Sequence, residues 1–241
     1  MKICILEADR PAETHRPRFG TYAGMFETWL GAALPEAGFT RVYVAGGAAL
    51  PADPAAFDAY LVTGARAGAY EDHPWIPPLE AFLRAAGALR VPLLGVCFGH
   101  QIIAQALGGR VEKSAEGWQI GRQEHRLTTE GTALFGGETL AALSAHQDQV
   151  TVLPPGARRL LANAASPNGG LGYETVPALT VQFHPEFDPA YLRALLDEPS
   201  GLRLPEERAA LARAGLSEPL DGGRVAKGFA NFLRAHTLTR S

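Results

Sequence analysis

The stretch Leu93-Leu94-Gly95-Val96-Cys97-Phe98-Gly99-His100-Gln101 changes periodicity half-way along. Val91 to Val96 is a continuous apolar run with the length of a buried strand. It ends on a lone cysteine set between Gly95 and Gly99. A helical pattern follows from Gln101 to Leu107 and closes at Gly108-Gly109. The stretch therefore reads as strand, tight turn and helix, with Cys97 at the turn. G-x-C-x-G is a nucleophile elbow with cysteine where serine usually stands. Such a turn is crowded, so a side chain at either glycine would press on backbone or cover the thiol. The start of a helix also favours a thiolate. By itself the stretch also fits, as the lesser of the two readings, a core cysteine at a strand end, because unpaired Cys is among the most buried residue types.

Outward from the elbow, the chain alternates strands and helices. Lys2–Ala8, Phe39–Ala45 and Asp58–Thr63 read as buried strands. Thr21–Leu34 carries apolar residues at helical spacing (Tyr22, Met25, Phe26, Trp29, Leu30, Ala33), and Leu79–Leu89 is a second helix. Asp9–Gly20 reads as an exposed loop, and Gly64–Pro78 as a long loop bearing Arg66, Tyr70, Glu71, Asp72, His73 and Trp75. After Gly109 the segments shorten. Arg110–Lys113, Gly117–Thr128, Leu140–Ser144, Arg159–Asn163, Leu171–Thr175 and Leu179–Phe183 read as strands joined by turns. Helices are expected at Pro189–Asp197, Glu206–Ala214 and Val225–His236. The whole is read as one domain over residues 1–241, with no repeat or linker. Its class is α/β: an open, mainly parallel twisted sheet with helices on both faces and a small mixed or antiparallel extension. Right-handed crossovers put the ends of 58–63 and 91–96 on one rim, so the Gly64 loop and Cys97 are expected to be neighbours.

Composition narrows the function classes. Net charge is −3, with 22 basic and 25 acidic residues, which gives no electrostatic reason for nucleic acid or an anionic membrane. Cys4 and Cys97 are the two cysteines, too few for a disulfide scaffold. The apolar run at the N-terminus is too short for a signal peptide, and no stretch reaches a membrane span. A cytoplasmic location is expected. No two His or Cys residues stand at a usual ligand spacing, so neither metal nor cofactor is expected.

A nucleophilic cysteine needs a base, and the base needs an orienting acceptor. Of the seven histidines, His184 follows the apolar strand Leu179–Phe183 and opens His184-Pro185-Glu186. Glu186 is close enough in sequence to bond the other ring nitrogen, across a link stiffened by Pro185. A turn histidine capping a strand is the plainer reading of His184 alone. His100 is nearest to Cys97 but lies in the helix's first turn and is read as structural. Gln101 shares the helical face of Cys97 and could touch a substrate.

Gly95-Val-Cys97-Phe-Gly99-His100-Gln101, with His184-Pro185-Glu186 downstream, resembles the class I (triad) glutamine amidotransferase family. The 87-residue interval from Cys97 to His184 suits that family. Ser144-Ala145-His146-Gln147-Asp148-Gln149-Val150 is similar to the S-H-x-D-x-V loop of its guanylate-synthase-like members, with Ala145 as an extra position. The free-standing members, including γ-glutamyl peptidases, are the nearest in pattern. The resemblance implies a flavodoxin-like fold. It implies that Cys97 attacks the glutamine side-chain amide, that His184 moves the proton and that Glu186 orients His184. It implies an oxyanion hole made by the backbone N–H of Phe98 and one from Gly64 or Ala65. There the chain has Thr63-Gly64-Ala65-Arg66 where the family often has Gly-Gly or Gly-Pro-Gly. Gln101, His146, Gln147 and Asp148 are the implied substrate contacts.

Three functions follow. One is hydrolysis of the glutamine side-chain amide through a γ-glutamyl thioester; a γ-glutamyl peptidase is its variant with a larger leaving group. The second is an ammonia-supplying subunit of a separate synthetase, since these residues include no phosphate-binding G-x-x-x-x-G-K-[ST]. The third is a non-catalytic module, which the presence of Cys97, His184 and Glu186 disfavours. The expected partners are a small-molecule substrate and a possible synthetase, with no nucleic acid and no membrane.

Overall fold

A computed structural model describes residues 1–198 and 204–237. The first half runs β1 (Lys2–Glu7), α1 (Arg16–Phe19), α2 (Tyr22–Gly31), β2 (Gly38–Tyr43), β3 (Ala59–Val62), α3 (Ile76–Ala88), β4 (Leu93–Val96) and α4 (Phe98–Ala106). Next come β5 (Arg110–Lys113), β6 (Gln119–Leu127), α5 (Thr129–Phe135), β7 (Thr139–His146), β8 (Asp148–Val152), β9 (Ala157–Ala162), β10 (Gly170–Tyr173) and β11 (Ala178–Val181). The chain closes with α6 (Pro189–Asp197), α7 (Glu206–Ala214) and α8 (Gly222–Thr237). Pro199 to Arg203 lie outside the described residues.

Among the described residues nine strands form one sheet, in the order β2-β1-β3-β4-β11-β10-β9-β6-β7. The five from β2 to β11 are parallel, and β10, β9, β6 and β7 continue antiparallel. A separate antiparallel ribbon pairs β5 with β8. The parallel strands carry near-continuous apolar residues because both faces are covered. On one face Ile3, Ile5, Leu61, Leu94 and Val181 pack with Phe26 and Leu30 of α2 and Phe229 and Leu233 of α8. On the other, Cys4, Leu6, Tyr60 and Val62 pack with Leu79 and Leu83 of α3 and Ile102 and Ile103 of α4. A third cluster joins Ile120 and Leu143 of the antiparallel strands to α6 and α7.

Several element boundaries differ from expectation. Helix α3 starts at Ile76, three residues early, because Pro77 and Pro78 occupy its first turn, where a missing N–H costs nothing. Asp9–Gly20 contains the short helix α1. Helix α5 was not anticipated; Thr128 caps it by accepting the Gly131 N–H at 3.1 Å. The Ser144–Val150 loop is largely strand, with only Gln147 between β7 and β8.

Candidate active site

The elbow is built by close approach. A Cβ on Gly95 would stand 2.4 Å from the Gly99 carbonyl oxygen, and one on Gly99 would stand 2.1 Å from the Val62 carbonyl oxygen. The turn can therefore exist only with glycine at both places. Gly99→Ala is expected to cost ~3 kcal/mol of stability, the upper range for overpacking against rigid neighbours. Urea unfolding would show this as a lower midpoint at unchanged slope; a midpoint equal to the parent's would contradict the packing argument. Cys97 itself has φ 55° and ψ −107°, in the left-handed half of the map that L residues avoid. Such strain persists only where surrounding structure enforces it, and it gathers at functional sites.

Neighbouring strand ends bring the other residues in. β11 lies beside β4 with Val181 opposite Val96, and the Cys97 N–H donates to the Val181 carbonyl at 2.9 Å. His184, three residues past that strand, lines the same cavity as Cys97, and both lie against Gly64. Its N–H donates to the Leu143 carbonyl at 2.7 Å, fixing the turn against β7. The ring's Nδ1 is 2.7 Å from Glu186 Oε1, and both side chains are buried. Burial alone pushes the imidazole toward neutrality. The Glu186 carboxylate and the Cys97 sulfur outweigh it, and the ring's pKa is raised. Phe187 lies flat on the imidazole, centroids 3.9 Å apart and planes 7° apart.

The Gly64 loop does stand beside Cys97. A Cβ on Gly64 would be 2.7 Å from the His184 ring and 3.6 Å from Cys97 Cβ. The Arg66 N–H is spent on Asp9 Oδ2 at 3.0 Å. Among the described residues no acceptor takes the N–H groups of Gly64, Ala65 or Phe98. Phe98 is the first helical residue of α4, where N–H groups lack intrahelical partners. Its ring turns away and packs on Trp75 at 5.4 Å between centroids.

A cavity of about 440 Å³ opens over this rim. Gly64, Ala65, Cys97, Gln101, His146, Gln147, Asp148 and His184 all line it. Gln101 donates through Nε2 to the Asp148 carbonyl at 2.8 Å and to Gln182 Oε1 at 3.2 Å. These bonds fix its amide and tie α4 to β8. His146 Nδ1 stands 3.2 Å from the same Asp148 carbonyl. Burial brings its pKa down to about 3, so the ring is neutral. Tyr70 donates to Asp148 Oδ1 at 3.2 Å, joining the Gly64–Pro78 loop to this wall. His100 does not reach the cavity: it is wholly buried, with Nδ1 2.8 Å from Thr180 Oγ1. Among the described residues no group of three His, Cys, Asp or Glu is placed to hold a metal.

Some lining residues carried no sequence signal. Arg10 and Tyr22 come from the region after β1, and Tyr191, Leu195 and Glu198 from α6 and its end. Phe187 could have been suspected from its place next to Glu186.

A family model described as glutamine amidotransferase class-I matches residues 67–194, more than half of the chain. The chain belongs to the class-I glutamine amidotransferase family. A glutamine amidotransferase-like protein of Schizosaccharomyces pombe is 29% identical over 181 residues, 73% of this chain and 72% of that protein. The γ-glutamyl peptidase 5 of Arabidopsis thaliana is 29% identical over 157 residues, 63% of this chain and 62% of its own length. A glutamine-hydrolysing GMP synthase of Aromatoleum aromaticum is 35% identical over 134 residues, 52% of this chain but 25% of the synthase. The solved structure of a glutamine amidotransferase from Thermotoga maritima matches with a TM-score of 0.74 at 21% identity, covering 98% of this chain and 97% of that one. At that identity the likeness speaks for the fold. No described helix of this class-I amidotransferase chain is long and apolar enough to cross a membrane.

Proposed function

We propose that this class-I amidotransferase chain is a cysteine-dependent hydrolase of the γ-glutamyl C–N bond, with the glutamine side-chain amide as its simplest substrate. The observation that carries the proposal is the strained Cys97 at the elbow, facing one cavity with a His184 that is held by Glu186. In the first step the Cys97 sulfur bonds to the amide carbon. The C–N bond breaks, and the departing nitrogen takes a proton from His184. Water, deprotonated by His184, then attacks the thioester; a C–O bond forms, the C–S bond breaks and glutamate leaves. The N–H groups of Phe98 and of Gly64 or Ala65 hold the oxyanion in both steps; such donors contribute roughly 3–4 kcal/mol each. Gln101 and the His146–Asp148 backbone hold the amino acid end of the glutamyl group. The chain acts as one domain over residues 1–241, with no cofactor in the reaction.

A second reading extends the first. The cavity is larger than one glutamine fills, and a wall of Tyr22, Phe187 and Tyr191 lies away from the Gln101 side. That favours γ-glutamyl peptides or conjugates, whose leaving group needs room of its own. Purified protein should release glutamate from glutamine or from γ-glutamyl dipeptides, with ammonia formed only from glutamine. A preference for dipeptides selects the peptidase reading. Absence of glutamate release from every γ-glutamyl compound would sink both; release from glutamine only after a synthetase is added would select an ammonia-supplying subunit.

A further inference from the structure

The cavity has two walls of unlike chemistry. One comes from α4 and the β5–β8 ribbon and presents Gln101, Lys113 and Asp148. The other comes from the start of α2 and from α6, and is aromatic. Phe187 meets Tyr191 edge-on at 4.7 Å and stacks toward Tyr22 at 6.1 Å, and the Tyr191 hydroxyl lies 3.0 Å from that of Tyr22. His184 leans its ring on Phe187, so the proton donor stands at the foot of the aromatic wall.

At this wall the charged groups are committed to partners, with one exception. Arg66 is bound to Asp9 through Nε at 2.8 Å and Nη2 at 2.9 Å. Glu198 Oε2 is 3.1 Å from His15. Arg10 gives only Nε, to the buried Glu7 at 2.8 Å, and its guanidinium lies over the Tyr43 ring at 3.9 Å. The ring covers a face of the plane and holds it still. The in-plane N–H groups of the two terminal nitrogens have no partner among the described residues, and the residue lines the cavity. A fixed guanidinium with a free edge suits a carboxylate, bound through two N–H groups.

We infer that this wall is a leaving-group subsite for an aromatic amino acid, and that Arg10 binds its α-carboxylate. The substrate class is then γ-glutamyl conjugates of aromatic amino acids. The inference rests on the hydrolysis proposed above. With the glutamyl end against Gln101 and Asp148, the amine must depart on the opposite side, past His184. The C–N bond breaks as the Cys97 thioester forms, the freed amino group takes its proton from His184, and water later releases glutamate. The aromatic ring packs among Tyr22, Phe187 and Tyr191, where offset and edge-on contacts are favourable.

The test is calorimetric binding to the full chain carrying Cys97→Ser, which binds without turning over. The two probes are γ-glutamyl-phenylalanine and γ-glutamyl-phenethylamide, which differ by one carboxylate. The carboxylate-bearing probe should bind about tenfold tighter or better, the scale of a bidentate charge-assisted contact. In the Cys97→Ser, Arg10→Gln double variant that preference should shrink to about threefold or less, within ordinary context effects on such a bond. Should Arg10→Gln fail to fold around Glu7, Arg10→Lys keeps the charge and loses the fork, and the preference should still fall. Equal affinity for the two probes, a preference undiminished by either variant, or no binding of γ-glutamyl-phenylalanine overturns the subsite. Glutamate release by the unmutated chain is a separate readout. If no γ-glutamyl compound is turned over, the hydrolysis fails while the binding result still decides the subsite.

Discussion

Cys97→Ala is expected to lower the turnover of glutamine and γ-glutamyl compounds by about 10⁴–10⁶-fold, the scale for loss of a nucleophile that acts as one unit with its base. Nothing else in the site can take over. The other thiol, Cys4, is buried in β1, and burial pushes its pKa up to about 12. Folding should be little affected, because alanine keeps the Cβ that the elbow already accommodates at φ 55°. Circular dichroism and the unfolding midpoint of the variant should therefore stay close to the parent while glutamate release disappears. Retention of even a tenth of the activity would place the nucleophile elsewhere. An isolated fall in stability with activity intact would make Cys97 a core residue, the alternative reading of the elbow stretch.

The parallel half of the fold was legible because its signals are local. β4 and α4 announce themselves by a switch from continuous apolar residues to helical spacing, and the Gly95–Gly99 pair marks the turn between them. The two backbone approaches behind that pair, at 2.4 and 2.1 Å, are the physical reason for those glycines. His184 and Glu186 could be found because both lie at the end of an apolar strand, and the parallel order then sets them beside Cys97. The second wall was not legible. Tyr22 and Tyr191 are brought together by tertiary packing of α2 against α6, Arg10 reaches the same cavity from the residues after β1, and no spacing in the sequence reports it. Tyr22 and Tyr191 read as helix residues with apolar faces, and the structure shows those faces lining a cavity. Helix α5 is a different kind of miss. Its cap, Thr128 with the Gly131 N–H, was present in the sequence, but its apolar face is too short to show a period.

Glu186→Gln should keep the geometry and lose the charge. Glutamine can still offer an oxygen to His184 Nδ1, so the tautomer survives and the activity loss should be roughly 10²-fold, short of the ~10⁴-fold for an orienting partner that forces the wrong tautomer. The pH dependence is the sharper expectation. Burial disfavours the charged imidazole, and Glu186 is the first of the charge partners that overcome it. Without the carboxylate the ring should give up its proton at lower pH. In the proposed reaction His184 is the acid for the departing nitrogen, so the alkaline limb of kcat/KM should move down by about one pH unit or more, each unit being ~1.4 kcal/mol of interaction with the charged ring. Stability follows the same sign. In the parent chain the folded state holds this proton more tightly than the unfolded state. The contribution is therefore complete below the ordinary histidine pKa and is lost as pH rises through the raised native value. Thermal midpoints of the parent should decline from neutral into alkaline pH, and those of Glu186→Gln should decline less. An alkaline limb in the same place for both proteins would mean that Glu186 does not set the charge of His184.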